Sequence, residues 1–400
     1  MIRSMFTAIS ALTLHQSYMD VVADNLANAN TAGYKSSRVT FQDQFAQMIQ
    51  TGAAPSANLG GVNPIQIGLG TRMGNITPDF SQGALQSTGR SLDLAIQGDG
   101  FFVYANGAET FFSRDGTLSI DSEGNIGNSA TGMRAQGWLA VMGAIDSTAP
   151  TGNIQIPVDA SIARPTTQAI LGGNLNSTVA IGDSTAVTMG VYDSLGVLHS
   201  ATLTCTKTAD NVWGWAATSG ATGSGTLVFD TSGRWDSGSG TITVTGTGGA
   251  AAAVVTLDLE ALTQLADTTS VAVASQDGLA AGNLTGYMVS TATGEIFGTY
   301  SNGLQERLGQ IALAGFLNPA GLLRIGQSLY QAGLNSGEAR IGVAGTGGRG
   351  TVVSGYLEGS NVDLAQEFTS MILAQRGFQA SSRVITASDE MLRELVNLAR

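Results

Sequence analysis

The segment MFTAISALTLHQSYMDVVADNLANANTAGYK, residues 5–35, joins a helix-like stretch to a polar tract that is rich in turn-forming residues. In the helix-like stretch, apolar residues recur at alternating steps of four and three, which is the spacing of a coiled-coil seam. This seam contains Met1, Met5, Ala8, Leu12, His15, Met19, Val22, Leu26 and Ala29. We therefore predict an N-terminal helix whose apolar stripe packs against other helices, with His15 as a packed seam residue.

A second seam closes the chain. Its apolar residues recur every seven positions at Leu364, Met371, Phe378, Ile385, Leu392 and Ala399, with Phe368 and Val396 beside them. The alternate slots are predicted to hold Gln375, Ser382 and Asp389, polar residues that would fix the register of packing at some cost in stability. Ser360-Asn361 is the predicted helix start, and Asp363 in the first turn suits the helix dipole.

Two isolated helices would leave much of each stripe in water, and such helices are only marginally stable alone. We therefore expect the chain ends to order when several copies pack together. The predicted assembly interface consists of Met5, Leu12, Met19, Val22, Leu26, Leu364, Phe368, Met371, Phe378, Ile385 and Leu392. The alternative is an intramolecular coiled coil that packs on the chain's own body.

The middle of the chain has the composition of a β protein. The sequence holds 54 Gly and 12% charged residues, which favours short strands joined by tight turns. Hairpin turns are predicted at Asp115-Gly116, DSEG (121–124), DSLG (193–196), DTSG (230–233) and TATG (291–294), where Gly supplies positive φ. Residues 150–275 are richer in Thr and Gly and are predicted to be nearly helix-free, with EALTQLAD (260–267) as a turn of helix.

Charge and cysteine content exclude several classes of protein. The net charge is −12 and Lys35 and Lys207 are the two lysines, so nucleic acid is disfavoured as a partner. The single cysteine, Cys205, excludes an intrachain disulfide framework. It alternates with Thr on a strand-like run and is predicted to be a buried small hydrophobe, with a reactive or cross-linking thiol as the alternative.

The sequence offers no motif for catalysis, a cofactor or a metal. It contains two histidines, too few with one cysteine for a metal cluster of the usual spacing. GTGGRG at 345–350 matches a dinucleotide-binding pattern, but without a clear strand before it or a helix after it we predict a flexible glycine loop. No apolar run reaches the ~20 residues of a membrane span. Polar residues such as His15 and Asp20 interrupt the signal-peptide-like start, so we predict no cleavage.

Long motifs at both ends resemble the bacterial flagellar rod and hook proteins. They are DNLANANTAGYKSSRVTFQD (24–43), SLDLAIQGDGFFV (91–103), FSRDGTLSIDSEG (112–124) and LEGSNVDLAQEFTSMILAQRGFQASSRVITASDEML (357–392). VYDSLGVLHSATL (191–203), YSNG (300–303) and QIALAGFLNPAGL (310–322) are similar to hook subunits in particular. The inserted block favours a hook over a rod protein, while Asp24 and Ser381 stand where the family usually has Asn.

The resemblance implies an α+β fold with nested, mainly antiparallel β domains and terminal α-helices in a coiled-coil-like inner layer. The expected domains are a helical domain that lines the tube (1–30 plus 360–400), a linker (31–72 plus 331–359), an inner β domain (73–149 plus 276–330) and an outer inserted β domain (150–275). The implied function is a structural subunit, not an enzyme, that polymerises into the curved tubular hook, a flexible joint that transmits torque from rod to filament. The alternatives are a distal rod or hook-associated protein, or a β-rich surface adhesin.

The resemblance also implies partners and a location. The partners are further copies of the chain, the distal rod protein, the hook cap protein, the hook–filament junction protein and the flagellar type III export apparatus. The location is extracellular, in the flagellar hook. Where the chain leaves the helical layer, we predict a hinge or linker that comprises Asn28, Asn30, Thr31, Gly33 and Tyr34. Beyond it, Lys35 and Arg38 are expected to meet solvent or a neighbouring subunit.

Overall fold

A computed structural model describes residues 2–55 and 59–398 of the chain, with one long helix at each end and strands between them. Helix α1 spans Ile2–Ala27 and helix α2 spans Leu364–Leu398. The predicted seam residues Met1 and Ala399 lie outside the described residues. The Asp363 carboxylate accepts hydrogen bonds from the backbone N–H groups of Ala365 and Gln366 at 2.9 and 3.2 Å, so α2 begins later than predicted.

Short strands fill the chain between the helices. The strands before residue 157 are β1 Ser37–Asp43, β2 Ala46–Gln50, β3 Ile65–Gly68, β4 Thr71–Pro78, β5 Leu85–Ser87, β6 Leu94–Gln97, β7 Phe101–Asn106, β8 Glu109–Ser113, β9 Leu118–Ile120, β10 Ile126–Asn128, β11 Arg134–Val141, β12 Ala144–Ile145 and β13 Gly152–Asn153. The next are β14 Ser161–Arg164, β15 Gln168–Asn174, β16 Ser184–Tyr192, β17 Leu198–Ala209, β18 Val212–Ser219, β19 Ser224–Phe229, β20 Trp235–Ser237, β21 Gly240–Val244, β22 Ala253–Thr263, β23 Ala272–Gln276 and β24 Leu279–Val289. The last are β25 Glu295–Tyr300, β26 Gln305–Ile311, β27 Leu313–Gly315, β28 Leu323–Gly326, β29 Leu329–Gln331, β30 Arg340–Gly342, β31 Thr351–Ser354 and β32 Tyr356–Glu358, with a 3₁₀ turn at Pro319–Gly321.

The chain forms two compact units, and both helices belong to the first. This unit comprises residues 1–156, 288–296 and 307–400. Its main sheet has the order β11-β7-β8-β29-β28, and neighbouring strands are antiparallel. The core of this unit contains Phe101, Val103, Phe112, Trp138 and Tyr330.

The second unit comprises residues 157–287 and 297–306 and packs two sheets around one apolar core. One sheet is an antiparallel meander, β16-β17-β18-β19-β20, and the other has the order β21-β22-β15-β23. Strand β15 pairs with β22 in parallel and with β23 antiparallel. The mainly antiparallel β fold with terminal helices is confirmed.

Four of the predicted turns are confirmed by their glycines. Gly124, Gly196, Gly233 and Gly294 have φ of +85°, +79°, +76° and +68°, a conformation that side chains with a Cβ rarely adopt. The predicted hairpin turn at Asp115-Gly116 is wrong, because the flanking strands β8 and β9 pair with β7 and β10 rather than with each other. The φ of Gly116 is also not positive. A Cβ at Gly116 would instead overlap the backbone carbonyl of Leu94, so close approach of the two segments requires the glycine.

The predicted helical turn at EALTQLAD is wrong, because Glu260–Thr263 continue strand β22. The pairing of β15 with β22 shifts register between Ile170 and Gly172, which marks a β-bulge. The bulge leaves Glu260 and Ala261 exposed in succession, so the buried residues Leu259 and Leu262 are three apart. This spacing imitates the period of a helix.

Candidate assembly site at the joined chain ends

The two terminal helices pack against each other in an antiparallel hairpin. Asn25 Nδ2 donates to Glu367 Oε1 at 3.1 Å, and the ring of His15 lies where a Cβ on Gly377 would stand. These contacts place residue 2 level with residue 390, so α2 extends beyond α1 from Met391 onward. The prediction that His15 is a packed seam residue is confirmed, since its ring also lies 6.1 Å from that of Phe41.

Small residues alternate with large ones where α2 faces α1. Ala374 and Ser388 are buried, and Ser381 between them is half-buried. The predicted slots Gln375, Ser382 and Asp389 are therefore displaced by one residue. The seam steps by three from Met371 and then by four, and small side chains in these slots let the helices approach closely.

The structure brings most of the predicted interface residues onto this seam. Val22 is buried, and the half-buried residues are Met5, Leu12, Met19, Leu26, Met371, Phe378, Ile385 and Leu392. Leu364 and Phe368 lie off the seam and are 48% and 50% exposed. The hairpin thus joins the two predicted stripes within one chain.

A second set of exposed apolar side chains lies on the hairpin, and the sequence analysis named only Val396 among them. It consists of Phe6, Ile9, Ile372, Leu373, Val384, Met391, Leu395, Val396 and Leu398, each of which is at least 42% exposed. We call it the outer helix face. Leu395 continues the slot series of Ala374, Ser381 and Ser388, and it is exposed because α2 extends beyond α1 there. Single-stripe periodicity could not reveal the others, because most of them lie beside the seven-residue repeat.

The turn after α1 is fixed to the returning strand β32 by one buried carboxylate. Lys35 Nζ donates to Glu358 Oε1 at 2.6 Å, and Arg114 lies 3.3 Å from Glu358 Oε2. The backbone N–H of Gly33 donates to the carbonyl of Glu358 at 2.8 Å, and that of Gly83 donates to its carboxylate at 3.0 Å. Four segments of the chain therefore meet at Glu358.

Lys35 is buried, which corrects the expectation that it meets solvent or a neighbouring subunit. Burial lowers the pKa of Lys35, and the charge of Glu358 opposes that shift. Arg38 is exposed as expected. The partner of Lys35 stands 323 residues away in sequence, so no local pattern could have paired them.

The residues of the predicted hinge differ in how firmly the structure holds them. Asn30 and Thr31 are exposed, and Asn28 is half-buried. Gly33 and Tyr34 are buried, and a Cβ at Gly33 would overlap the backbone of Arg114 and Asp115. The tract therefore combines an exposed turn with an anchored end.

Tyr34 ties this anchored end to α1. Its hydroxyl lies 3.0 Å from Asp24 Oδ2 and 3.1 Å from Asn25 Oδ1, and Arg324 covers its ring at 4.6 Å. Burial raises the pKa of Tyr34. Asp24, one of the two departures from the family pattern, also pairs with Arg324 at 3.3 Å.

Two β ribbons between residues 37 and 78 form an apolar arm beside α1. Strand β1 pairs with β4, and β2 pairs with β3. Every residue of β2 and β3 is exposed. The exposed apolar side chains of the arm are Phe41, Phe45, Met48, Ile49, Leu59, Val62, Ile65, Ile67, Leu69 and Ile76. The sequence analysis treated this segment as a linker, although the alternation in IQIGLG (65–70) is a strand signal.

Two further sequence predictions concern Cys205 and metal binding. Cys205 is buried in the core of the second unit, and burial raises the pKa of its thiol to about 11. The described residues hold no group of three or more His, Cys, Asp or Glu side chains placed to bind a metal ion. Neither terminal helix is both long and apolar enough to cross a membrane.

Family profiles match four segments of the chain. They are the flagella basal body rod protein at 5–35, the flagellar hook protein FlgE/F/G D1 domain at 95–167, the flagellar basal body protein FlaE D2 domain at 159–279 and the flagellar basal body rod FlgEFG protein C-terminal at 353–398. The helices, the turn after α1 and most of the second unit thus fall in matched segments.

Relatives match over nearly the whole chain. Flagellar hook protein FlgE of Borreliella burgdorferi is 37% identical and covers 100% of each chain, and FlgE of Salmonella typhimurium is 35% identical over 98% of each. Flagellar basal-body rod protein FlgG of Bacillus subtilis is 32% identical over 100% of each. A crystal structure of Helicobacter pylori FlgE2 aligns with 68% of this chain and 100% of that chain, at 15% identity and a TM-score of 0.48.

Proposed function

This chain belongs to the flagellar hook protein FlgE family and is a structural subunit of the hook rather than an enzyme, and from this premise we propose how its copies assemble. The helix hairpins pack side by side through their outer helix faces and line a tube. The hairpin is the unit of assembly, because α1 and α2 already cover each other's seam within one chain.

The observation that supports this proposal is the amount of apolar surface left uncovered on the hairpin. Leu373 is 61% exposed, and Leu395, Val396 and Leu398 on the overhanging end of α2 are 48%, 63% and 82% exposed. Exposed apolar side chains gathered in this way at the end of α2 mark an interaction surface. Burying it against sister hairpins stabilises the polymer by about 25 cal/mol per Å² of apolar area.

The apolar arm supplies a second contact in this proposal. Exposed edge strands with apolar side chains pair readily with other chains unless something covers them. The arm lies beside α1, where Phe41 packs on Tyr18 with ring centroids 5.5 Å apart. An arm held in this way contacts a neighbouring hairpin while it stays packed on the α1 helix of its own chain.

Membership of the family supports the remaining parts of the proposal. The subunit is extracellular and reaches the growing hook through the flagellar type III export apparatus. There it contacts the distal rod protein, the hook cap protein during growth and the hook–filament junction protein. The finished tube is curved and acts as a flexible joint. The helical layer bears load, and the Gly- and Thr-rich second units of neighbouring copies slide at small polar contacts.

The outer helix face is tested with Ile372→Asp and Leu373→Asp. Both side chains are more than half exposed in the single chain, so the monomer should keep its helix content by circular dichroism. In the polymer each Asp would be buried without a partner, at a cost of about 3 kcal/mol per contact. Electron microscopy and sedimentation should therefore find no tubes at concentrations where the wild type assembles.

Gln379→Asp is the matched control for Leu373→Asp, because it places the same charge at an exposed polar position on a different side of α2. It should assemble like the wild type. Normal tubes from Leu373→Asp would contradict the proposed interface, and wild-type protein that never forms tubes would contradict assembly through the hairpins altogether.

A further inference from the structure

A cavity of about 350 Å³ in the first unit has a positively charged lining, and nothing described so far uses it. Its apolar wall includes Phe80, Phe101 and Phe316, and its polar lining includes Arg114, Arg340 and Asp99. The rings pack edge to face, with Phe101 5.3 Å from Phe80 and 5.7 Å from Phe316. The cavity is therefore lined on one side by packed aromatic rings and also contains two guanidinium groups.

The charge of Arg114 is only partly balanced. Its side chain is 2% exposed, and its carboxylate partner, Glu358, is shared with Lys35. Two cations thus share one bonded carboxylate in a buried cluster, and the charge of Asp79 acts on the Lys35 side of it. The Nε–H of Arg114 finds no acceptor among the described residues, although a buried donor normally has one. A buried guanidinium in this state favours an additional acceptor or negative charge.

The loop GTGGRG forms part of the cavity wall. Gly347 and Gly348 line it with φ of +60° and +80°. Arg349 lies against this loop and donates to the backbone carbonyls of Val343 and Arg340 at 3.1 and 3.3 Å. Within the described residues neither Arg340 nor Arg349 forms an ion pair. The glycine loop predicted from sequence is therefore the rim of a cationic pocket.

The chain as a whole is strongly acidic. It has 30 acidic and 18 basic residues, so copies that assemble repel one another. A pocket in which cations outnumber carboxylates is complementary to the surface of a second copy. Pairing its arginines with a carboxylate of the next subunit would offset part of this repulsion and supply the acceptor that Arg114 lacks.

We propose that this pocket receives an Asp or Glu side chain, with an adjoining apolar residue, from a second copy of the chain in the polymer. The pocket and the inserted segment are different surfaces, so the contact is head-to-tail and extends an open helical assembly rather than a closed dimer. This inference rests on the proposed function, since it requires that copies of the chain polymerise.

The test uses full-length protein and compares Arg340→Gln and Arg340→Glu with Arg164→Gln. Arg340 is exposed and lies outside the buried Glu358 cluster, so its variants should fold. Arg164, an exposed arginine of the second unit, is the control. We expect Arg340→Gln to raise the critical concentration for tube formation about 3- to 10-fold, which is typical for loss of an interfacial charge pair. Arg340→Glu should raise it further, and Arg164→Gln should leave it unchanged.

A photo-cross-linker identifies the occupant of the pocket. p-Benzoylphenylalanine replaces Leu317, which lines the cavity and is 73% exposed. In assembled tubes it should attach to an acidic peptide of a second copy, as identified by mass spectrometry of mixed isotope-labelled chains. The same cross-link should be weaker in tubes of the Arg340→Glu variant.

Three results would overturn the inference. The first is that the Arg340 variants assemble like Arg164→Gln, and the second is that cross-links form only within one chain. The third is that inorganic phosphate binds the monomer through Arg340 and leaves assembly unchanged, which would indicate a site for free anions. In each case the wild type still forms tubes and the proposed function stands. Wild-type protein without tubes would instead overturn the proposed function, and this inference with it.

Discussion

At the scale of single residues, Glu358 joins four segments of the chain. Its carboxylate accepts from Lys35, Arg114 and the backbone of Gly83, and its own carbonyl accepts from Gly33. Buried charges are tolerated when they are paired and hydrogen-bonded in this way. The end of the turn after α1 is therefore an anchor, and the proposed hinge would be confined to the exposed residues Asn30 and Thr31.

Glu358→Gln should destabilise the first unit by about 3 kcal/mol, because it leaves two buried cations without a carboxylate. Urea denaturation would measure the loss in the free energy of unfolding. Hydrogen exchange of the peptides that contain Gly33 and Gly83 would show where in the first unit the loss occurs. Glu338→Gln, at an exposed position, is the control and should change stability by less than about 0.5 kcal/mol. A loss below about 1 kcal/mol for Glu358→Gln would show that solvent or another acid can replace this carboxylate.

Residue-scale features divide into those that local sequence could predict and those that it could not. The glycines of DSEG, DSLG and DTSG were predictable, because the Asp carboxylate and the positive φ of Gly act within four residues. Asp193, for example, accepts from the backbone N–H of Leu195 and Val197 at 2.9 and 3.0 Å. The burial of Lys35 was not predictable, since its environment is built from distant segments.

At the scale of elements, the helix hairpin depends on one close approach. The absence of a side chain at Gly377 lets α2 lie against the ring of His15. His15 is held from the other side by Phe41, so its ring has little room to move. The crossing of the two helices is thus fixed by a glycine, a ring and a strand of the arm.

Gly377→Ala should weaken the hairpin even though Ala favours helix by about 1 kcal/mol over Gly. Its Cβ would lie 2.4 Å from a ring carbon of His15, and overpacking of this kind costs about 1–3 kcal/mol. Hydrogen exchange of α2 amides should therefore be faster, and His15→Ala in the same chain should restore part of the protection. Ala380→Leu, at an exposed position of α2, should have little effect on the exchange. Slower exchange in Gly377→Ala would mean that the His15 ring moves aside at little cost.

The elements also explain where periodicity succeeded and failed. The seven-residue repeat correctly located both helices, because burial of one stripe repeats with the helical turn. It misplaced the slots between Met371, Phe378 and Ile385 by one residue, since either neighbouring slot completes the same repeat and only the partner helix selects between them. In β22 a bulge changed the period locally, and the sequence carried no separate sign of it.

At the scale of the whole molecule, the second unit has its own core and can be removed at a natural boundary. Strand β14 pairs with β24 through Ser161 with Asn283 and Arg164 with Leu279. The buried core residues of the second unit, Ala169 to Leu262, lie beyond this pair in sequence. Joining Arg164 to Leu279 by a two-residue Asn-Gly turn would keep the β14–β24 hairpin and delete both sheets.

This deletion should leave assembly intact and alter the shape of the tube. The helix hairpin, the arm, the Glu358 cluster and the cationic pocket all belong to the first unit, so the contacts proposed for assembly remain. Electron microscopy should show tubes that are straight or altered in curvature, because the sliding contacts assigned to the second unit are lost. The contrary outcome is a deletion variant that stays folded by circular dichroism and forms no tubes. That result would place an essential assembly contact in the second unit and would contradict the division of roles between the helices and the second unit. Tubes with wild-type curvature would show that the first unit alone sets the bend.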